Sequence, residues 1–403
     1  MAAIDGTTRL IKALSLTACL AFASAAVGSG LDRQSELQPS LAAKIPPLFA
    51  SEALGVRGQA ELMSGRLDQA MADGRTAVLR SPVDPVSTAL LGAARLGRND
   101  PIGARRAFLV AGRMGWRVPL TQSYWMQQAV AVGDYPVAAK RLDALLRQRP
   151  WLLGDTRLLA AIEGVPDGRN AIADRLISAP SWLTPYASEV SNIPLSVVTA
   201  RALVLEDLSA RGLRVGCDRA APPVNMLISA GQFDAAATLW RGHCPEAGQG
   251  LLTDPDLTYL RISGARSYFE WDLVGNSDVG MVLLPGDRPG SQQVELHSSA
   301  PFARAILRQL LPVKPGRYRL SWRASAVDGT ASAKVVAAIG CAPNPEQRVT
   351  AINTPGSADW QADVTLGSDC LAHWLVFSVL PSSGDLRLSA LRLDAARKID
   401  AAR

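Results

Sequence analysis

Three alanines, Ala70, Ala104 and Ala138, stand 34 residues apart, each just after a short turn signal: Gly65-Arg66, Asn99-Asp100 and Gly133-Asp134. Twelve residues before them stand Gly58, Gly92 and Met126; twelve after them stand Pro82, Trp116 and Pro150, with Pro119 close behind the middle one. A fourth, looser copy has Ala160 and Ile172, with Pro185 one place late. This pattern predicts helical hairpins, with small residues where two helices cross closely, a Gly, Asn or Asp at the turn, and a Pro that stops the second helix. One hairpin cannot bury its own apolar face, so the copies must stack.

The period, the small residues and the late Pro resemble the tetratricopeptide repeat family, over Ser51 to about Pro185, with Gly58, Ala70, Pro82, Gly92, Ala104, Ala138 and Pro150 at matching places. The family's early Trp is replaced by Leu54, Thr88 and Gln122, and its Tyr by Glu61 in the first copy. The resemblance implies a protein-binding scaffold whose first helices line a concave groove. Carried over by position, the groove residues are Gly55, Gln59, Ala89, Ala93, Ser123, Gln127 and Arg157. Being mostly small and uncharged, they do not suit a carboxylate clamp, and the same face can instead pack on the C-terminal domain or a second copy. A long helix is expected over Leu195 to Leu213, and SAGQFDAAATLWRGHC, Ser229 to Cys244, repeats the turn signal with Gly231 and Ala236. The helical domain is therefore expected over 40–244.

Ahead of it, Arg9 and Lys12 precede the uncharged run Ala13 to Leu31, about 28 Å long as a helix at ~1.5 Å per residue. This reads as a signal peptide or membrane anchor over 1–31. Three fates stay open: cleavage at the A-x-A site Ala23-Ser24-Ala25, retention as an inner-membrane tether, or lipidation at Cys19 in Leu16-Thr17-Ala18-Cys19. Each places the rest of the chain beyond the inner membrane, because the basic flank stays inside. In an oxidising compartment the four remaining cysteines favour disulfides. Of the three possible pairings, the one that keeps each bond within a region joins Cys217 to Cys244 and Cys341 to Cys370, with buried free thiols as the alternative.

Past Pro245 to Asp256 the helical rhythm gives way to short alternating stretches: FEWDLVG (269–275), GMVLLP (280–285), QQVELHS (292–298), GRYRLSWRAS (316–325), AKVVAAIGC (333–341), WQADVTL (360–366), HWLVFSVL (373–380) and DLRLSALRLD (385–394). Such short strands predict an antiparallel sandwich over 257–397. In the fourth stretch Tyr318, Leu320, Trp322 and Ala324 share one face and Arg317, Arg319 and Arg323 the other, as in a half-buried strand. The succession of GRYRLSW, the strand ending at Cys341 and HWLVFSV resembles jelly-roll domains of the carbohydrate-binding-module type. That resemblance implies glycan held on aromatic platforms, for which Trp271, Trp360 and Trp374 are the candidates; core packing is the competing role for all three.

Chemistry is harder to find. The 42 basic and 36 acidic side chains give a net charge of +6, but they are spread evenly: 24 against 20 in residues 31–250 and 16 against 15 in 251–403. No block favours nucleic acid. The three histidines, His243, His297 and His373, lie in no triad or metal pattern, and the chain has no G-x-S-x-G, no H-E-x-x-H and no phosphate-cradling glycine loop. No cofactor or metal is expected. A chain of 403 residues suits more than one core, and the expectation is a TPR-like α-helical repeat array followed by a β-sandwich of the jelly-roll type. The corresponding function is an exported, non-catalytic scaffold: the array holds an envelope protein, the sandwich holds a polysaccharide, and the setting is cell-envelope or exopolysaccharide production and export. The alternatives are a polysaccharide hydrolase or lyase, which needs only two carboxylates, and a purely structural assembly factor.

Overall fold

In a computed structural model, described for residues 2–244, 250–261, 266–275, 277–341, 347–353, 355–368, 370, 372–381 and 384–396, the chain is helical first and all-β afterwards. Residues 245–249 of the expected domain boundary, and residue 397 at the expected end of the sandwich, lie outside the described residues. Two compact units divide at Pro150: Met1–Pro150 and Trp151–Arg403. The later helices thus belong with the sheets.

The first unit opens with α1 (Ala2–Gln34), which contains the 21-residue stretch Leu14–Gln34 of mean hydropathy 1.7, long and apolar enough to cross a membrane. Near its end, the buried Asp32 carboxylate accepts from the amides of Ser51 and Ala53 at 3.0 and 2.9 Å. These amides open α2 (Glu52–Met63), so Asp32 supplies the anionic cap that Ser51 does not.

Three hairpins follow: α2 with α3 (Leu67–Arg80), α4 (Pro85–Gly97) with α5 (Pro101–Met114), and α6 (Pro119–Ala131) with α7 (Tyr135–Leu146). The second helices start at Leu67, Pro101 and Tyr135, reproducing the 34-residue spacing of the alanines. The turns need a left-handed residue, and Gly65, Asn99 and Gly133 supply it with φ of 76°, 60° and 75°. Ala70, Ala104 and Ala138 are fully buried. Gly58 allows close approach, since a Cβ there would meet Leu90 Cδ2 at 2.4 Å. Asp84, Asp100 and Asp134 cap α4, α5 and α7 through side-chain oxygens.

The second unit begins with α8 (Thr156–Glu163), α9 (Pro166–Leu176) and α10 (Leu183–Ser188). The expected long helix is α11 (Leu195–Ala210). A closing hairpin, α12 (Cys217–Ser229) and α13 (Phe233–His243), is stapled by the Cys217–Cys244 disulfide. A second disulfide joins Cys341 to Cys370, so both expected pairings are present.

Two antiparallel sheets form the sandwich. One has the order β1-β4-β10-β6-β7, from β1 (Asp272–Leu273), β4 (Arg304–Leu311), β6 (Val335–Cys341), β7 (Gln347–Arg348) and β10 (His373–Val379). The other has the order β2-β3-β11-β5-β9-β8, from β2 (Val279–Pro285), β3 (Gln292–Ser298), β5 (Gly316–Ala326), β8 (Ile352–Asn353), β9 (Asp359–Leu366) and β11 (Leu386–Ala395). On β5 the alternation is as expected: Tyr318, Leu320, Trp322 and Ala324 enter the core shared with Leu375 and Phe377. On the wet face Arg319 and Arg323 pair across the strand with Asp363 and Asp359.

Two expectations need correction. FEWDLVG contributes only Asp272–Leu273 to a strand, because Ser267 to Glu270 form a turn closed by Glu270 N donating to Ser267 O at 2.9 Å. Strand β4 was not anticipated: RAILRQLL shows no alternation, since Leu310 and Leu311 are both buried and the register with β10 shifts between Phe377 and Ser378.

Candidate functional site

The second unit contains a cavity of about 690 Å³ at the start of α12, walled by residues from five chain segments. The helical side contributes Val215 to Arg219 and the Cys217–Cys244 disulfide. Gly216, with φ of 90°, turns the chain so that Cys217 opens α12. The other walls are the Thr253–Arg261 loop, the Arg266–Trp271 turn and Gln292 at the start of β3.

The Thr253–Arg261 loop is held from both ends. Gln309 of β4 clamps Thr253: its Oε1 accepts the Thr253 amide at 3.1 Å and its Nε2 donates to the Thr253 carbonyl at 2.9 Å, with both residues buried. The Asp254 carboxylate accepts the amides of Thr258 and Tyr259, both at 2.8 Å, and its carbonyl accepts Trp271 Nε1 at 3.0 Å. Burial pushes the Asp254 carboxyl up, against the pull of these amides. The clamp leaves Tyr259 with half its surface exposed at the cavity edge.

Around the cavity the charges come in opposite pairs. Arg261 Nη2 lies 2.8 Å from Asp218 Oδ1 and 3.7 Å from Glu270 Oε1. Arg219 donates to the Val215 carbonyl at 3.2 Å, and Arg266 meets Asp272 at 3.4 Å. Glu270 Oε2 accepts the Ser267 amide at 2.8 Å, and burial raises the Glu270 carboxyl above its ordinary range. The lining thus holds three carboxylates, Asp218, Asp254 and Glu270, and three guanidinium groups, Arg219, Arg261 and Arg266, of which Arg261 meets both Asp218 and Glu270, with Val215, the disulfide, Leu260 and Tyr259 among the other wall residues. Among the described residues no group of His, Cys, Asp and Glu is arranged to hold a metal ion.

The residues singled out from sequence lie in several places. Trp271 borders the cavity but is only 2% exposed, with its ring 6.1 Å from Phe377 in the core. Both of its faces are covered. Trp360 of β9 is half-buried opposite Trp322 and donates to the Ala324 carbonyl at 3.3 Å. Trp374 of β10 is 9% exposed, edge-on to Tyr268 at 5.9 Å and under the Arg308 guanidinium at 5.3 Å. The three rings form no common platform, as Trp360 and Trp374 belong to different sheets. Of the groove residues, Gly55 and Ala89 are buried, Ala93 and Ser123 half-buried, and Gln59 and Gln127 exposed; Arg157, also exposed, belongs to the second unit. Sequence reasoning missed Asp218, Tyr259, Arg261 and Glu270. No local signal marked them: Asp254 accepts the amides of Thr258 and Tyr259, four and five residues on, which is not the two-residue reach of an Asx turn.

No protein-family model matches the chain, and no curated protein matches its sequence. Among solved structures it is similar to the enzymatically active domain of tailspike protein 4 of bacteriophage CBA120, at 15% identity and a TM-score of 0.26, over 36% of this chain and 21% of that one. It is similar to TmCBM61, solved in complex with β-1,4-galactotriose, at 16% identity and a TM-score of 0.27, over 37% of this chain and all of that one. A sugar binding protein from Bacteroides thetaiotaomicron is similar at 12% identity and a TM-score of 0.26, again over 37% of this chain and the whole of the other. Likenesses this distant assign no ligand to the present chain.

Proposed function

We propose that the second unit binds a short neutral glycan in the cavity beneath the Cys217–Cys244 disulfide, as part of an exported, non-catalytic scaffold. The observation that carries this reading is the balanced lining: three acidic and three basic side chains over apolar walls, in a cavity of about 690 Å³. A volume of that order suits a small-molecule ligand. A strongly charged ligand would meet as much repulsion as attraction there. Vicinal hydroxyls both donate and accept, so they can bridge a carboxylate and a guanidinium such as Glu270 and Arg261, while a pyranose face lies on the half-exposed ring of Tyr259. In this reading the exposed Gln59 and Gln127 of the first unit serve a protein partner, and the setting is cell-envelope or exopolysaccharide production.

Calorimetric titration of the purified chain against neutral and uronic-acid oligosaccharides tests the reading. A neutral oligosaccharide should bind, and both Arg261→Ala and Tyr259→Ala should weaken it about tenfold, the equivalent of ~1.4 kcal/mol. Absence of neutral-glycan binding, or binding that those changes leave untouched, would remove the proposal. The raised carboxyl of Glu270 favours a second reading, a glycoside hydrolase with Glu270 as its acid. Shortened products that vanish with Glu270→Gln would select it; ligand recovered intact selects binding.

A further inference from the structure

The outer face of α5 joins two features that do not usually stay uncovered together. Ile102, Leu109, Val110, Met114 and, just past the helix, Trp116 are 68%, 44%, 44%, 38% and 48% exposed. Between them on the helix stand Arg105, Arg106 and Arg113, with Arg117 following Trp116 beyond the helix end; all four are exposed, and no acidic residue occurs from Pro101 to Val118. None of these four guanidinium groups has a carboxylate partner among the described residues. The opposite face of the same helix, with Gly103, Ala104, Ala107, Phe108 and Ala111, is buried in the hairpins. Trp116 is fixed in place, because Arg141 stacks on its ring at 3.7 Å.

We infer that this face docks on an anionic lipid surface. An interfacial helix presents apolar side chains to the acyl boundary and arginines to the headgroups, with a Trp at the interface. A second copy of the same face is a poor occupant, since four arginines would oppose four with no acid between them. The compact unit that carries α5 also carries the membrane-length stretch Leu14–Gln34, which would bring a bilayer within reach of this unit. The inference rests on the first unit alone and is independent of the glycan reading.

The test uses the full chain in nanodiscs, either of phosphatidylcholine alone or with one third phosphatidylglycerol, and measures hydroxyl-radical labelling of side chains. Labelling of Met114 and Trp116 should fall severalfold in the anionic discs only and recover at high salt. Met63, 90% exposed at the end of α2, should stay unchanged. Changing Arg105, Arg106, Arg113 and Arg117 together to Gln should abolish the protection, each arginine contributing about fivefold, the equivalent of ~1 kcal/mol. Equal labelling of Met114 and Trp116 in the two kinds of disc, whether both open or both protected, overturns the inference.

Discussion

Arg201 Nε of α11 lies 3.2 Å from Glu163 Oε1 of α8, with both side chains only 1% exposed. The same guanidinium donates through Nη2 to the Leu153 carbonyl at 2.7 Å and sits 5.0 Å from the Tyr186 ring centroid. Burial pushes the Glu163 carboxyl up, and Arg201 opposes that rise. Removing Arg201 alone would leave a carboxylate with no compensating charge in the interior. Arg201→Ala is therefore expected to destabilise the second unit by about 3–5 kcal/mol, whereas Arg201→Met with Glu163→Leu recovers most of that loss. Urea denaturation of the three proteins checks it.

His243 ties α11, α13 and the start of α12 together. The Val215 amide donates to its Nδ1 at 3.2 Å, which puts the ring proton on Nε2, where it donates to the Leu205 carbonyl at 2.8 Å. Burial holds the imidazole below its ordinary value of 6.5. A His with a depressed native pKa binds fewer protons folded than unfolded, so stability is full above about 6.5 and is lost as pH falls toward the native value. Thermal unfolding midpoints at pH 7.5, 6.5 and 5.5 should decline with acid more steeply in the wild-type chain than in His243→Gln. Equal slopes would contradict the assignment.

The Cys217–Cys244 bond spans 27 residues and also lines the cavity. Replacing both cysteines by Ser should cost about 3–4 kcal/mol by loop-closure entropy, read from guanidinium denaturation. Oligosaccharide binding should weaken with it, because the wall at α12 is no longer fixed.

In the hairpin turns, Gly133→Ala meets no neighbouring atom within 4 Å, yet φ is 75° there. The change should cost about 1–2 kcal/mol through backbone strain alone. Asn99→Gly, at φ of 60°, should stay within ~0.5 kcal/mol of wild type because both residues tolerate the conformation. Unfolding midpoints of the two variants separate strain from packing.

What the amino-acid order determined by itself was local and periodic. The turn residues at 65, 99 and 133, the alanines five positions later, the alternation on β5 and the disulfide pairing all follow from steric rules acting over a few residues or within one region. Strand β4 was not legible, since Arg304–Leu311 buries residues on both of its faces and so lacks alternation, and most of its residues are ordinary helix formers. Neither was the place of the Trp271 ring, which shares an alternating pattern with surface strands but is enclosed by Phe377 and the Asp254 loop. The cavity lay furthest out of reach: Asp218, the pair Tyr259 and Arg261, and Glu270 come from three separate segments and form no motif. Which polar groups end up facing one another depends on how the closing hairpin meets the sandwich. That is decided by long-range packing and a few buried hydrogen bonds such as Gln309 on Thr253, which leave no periodic trace along the chain.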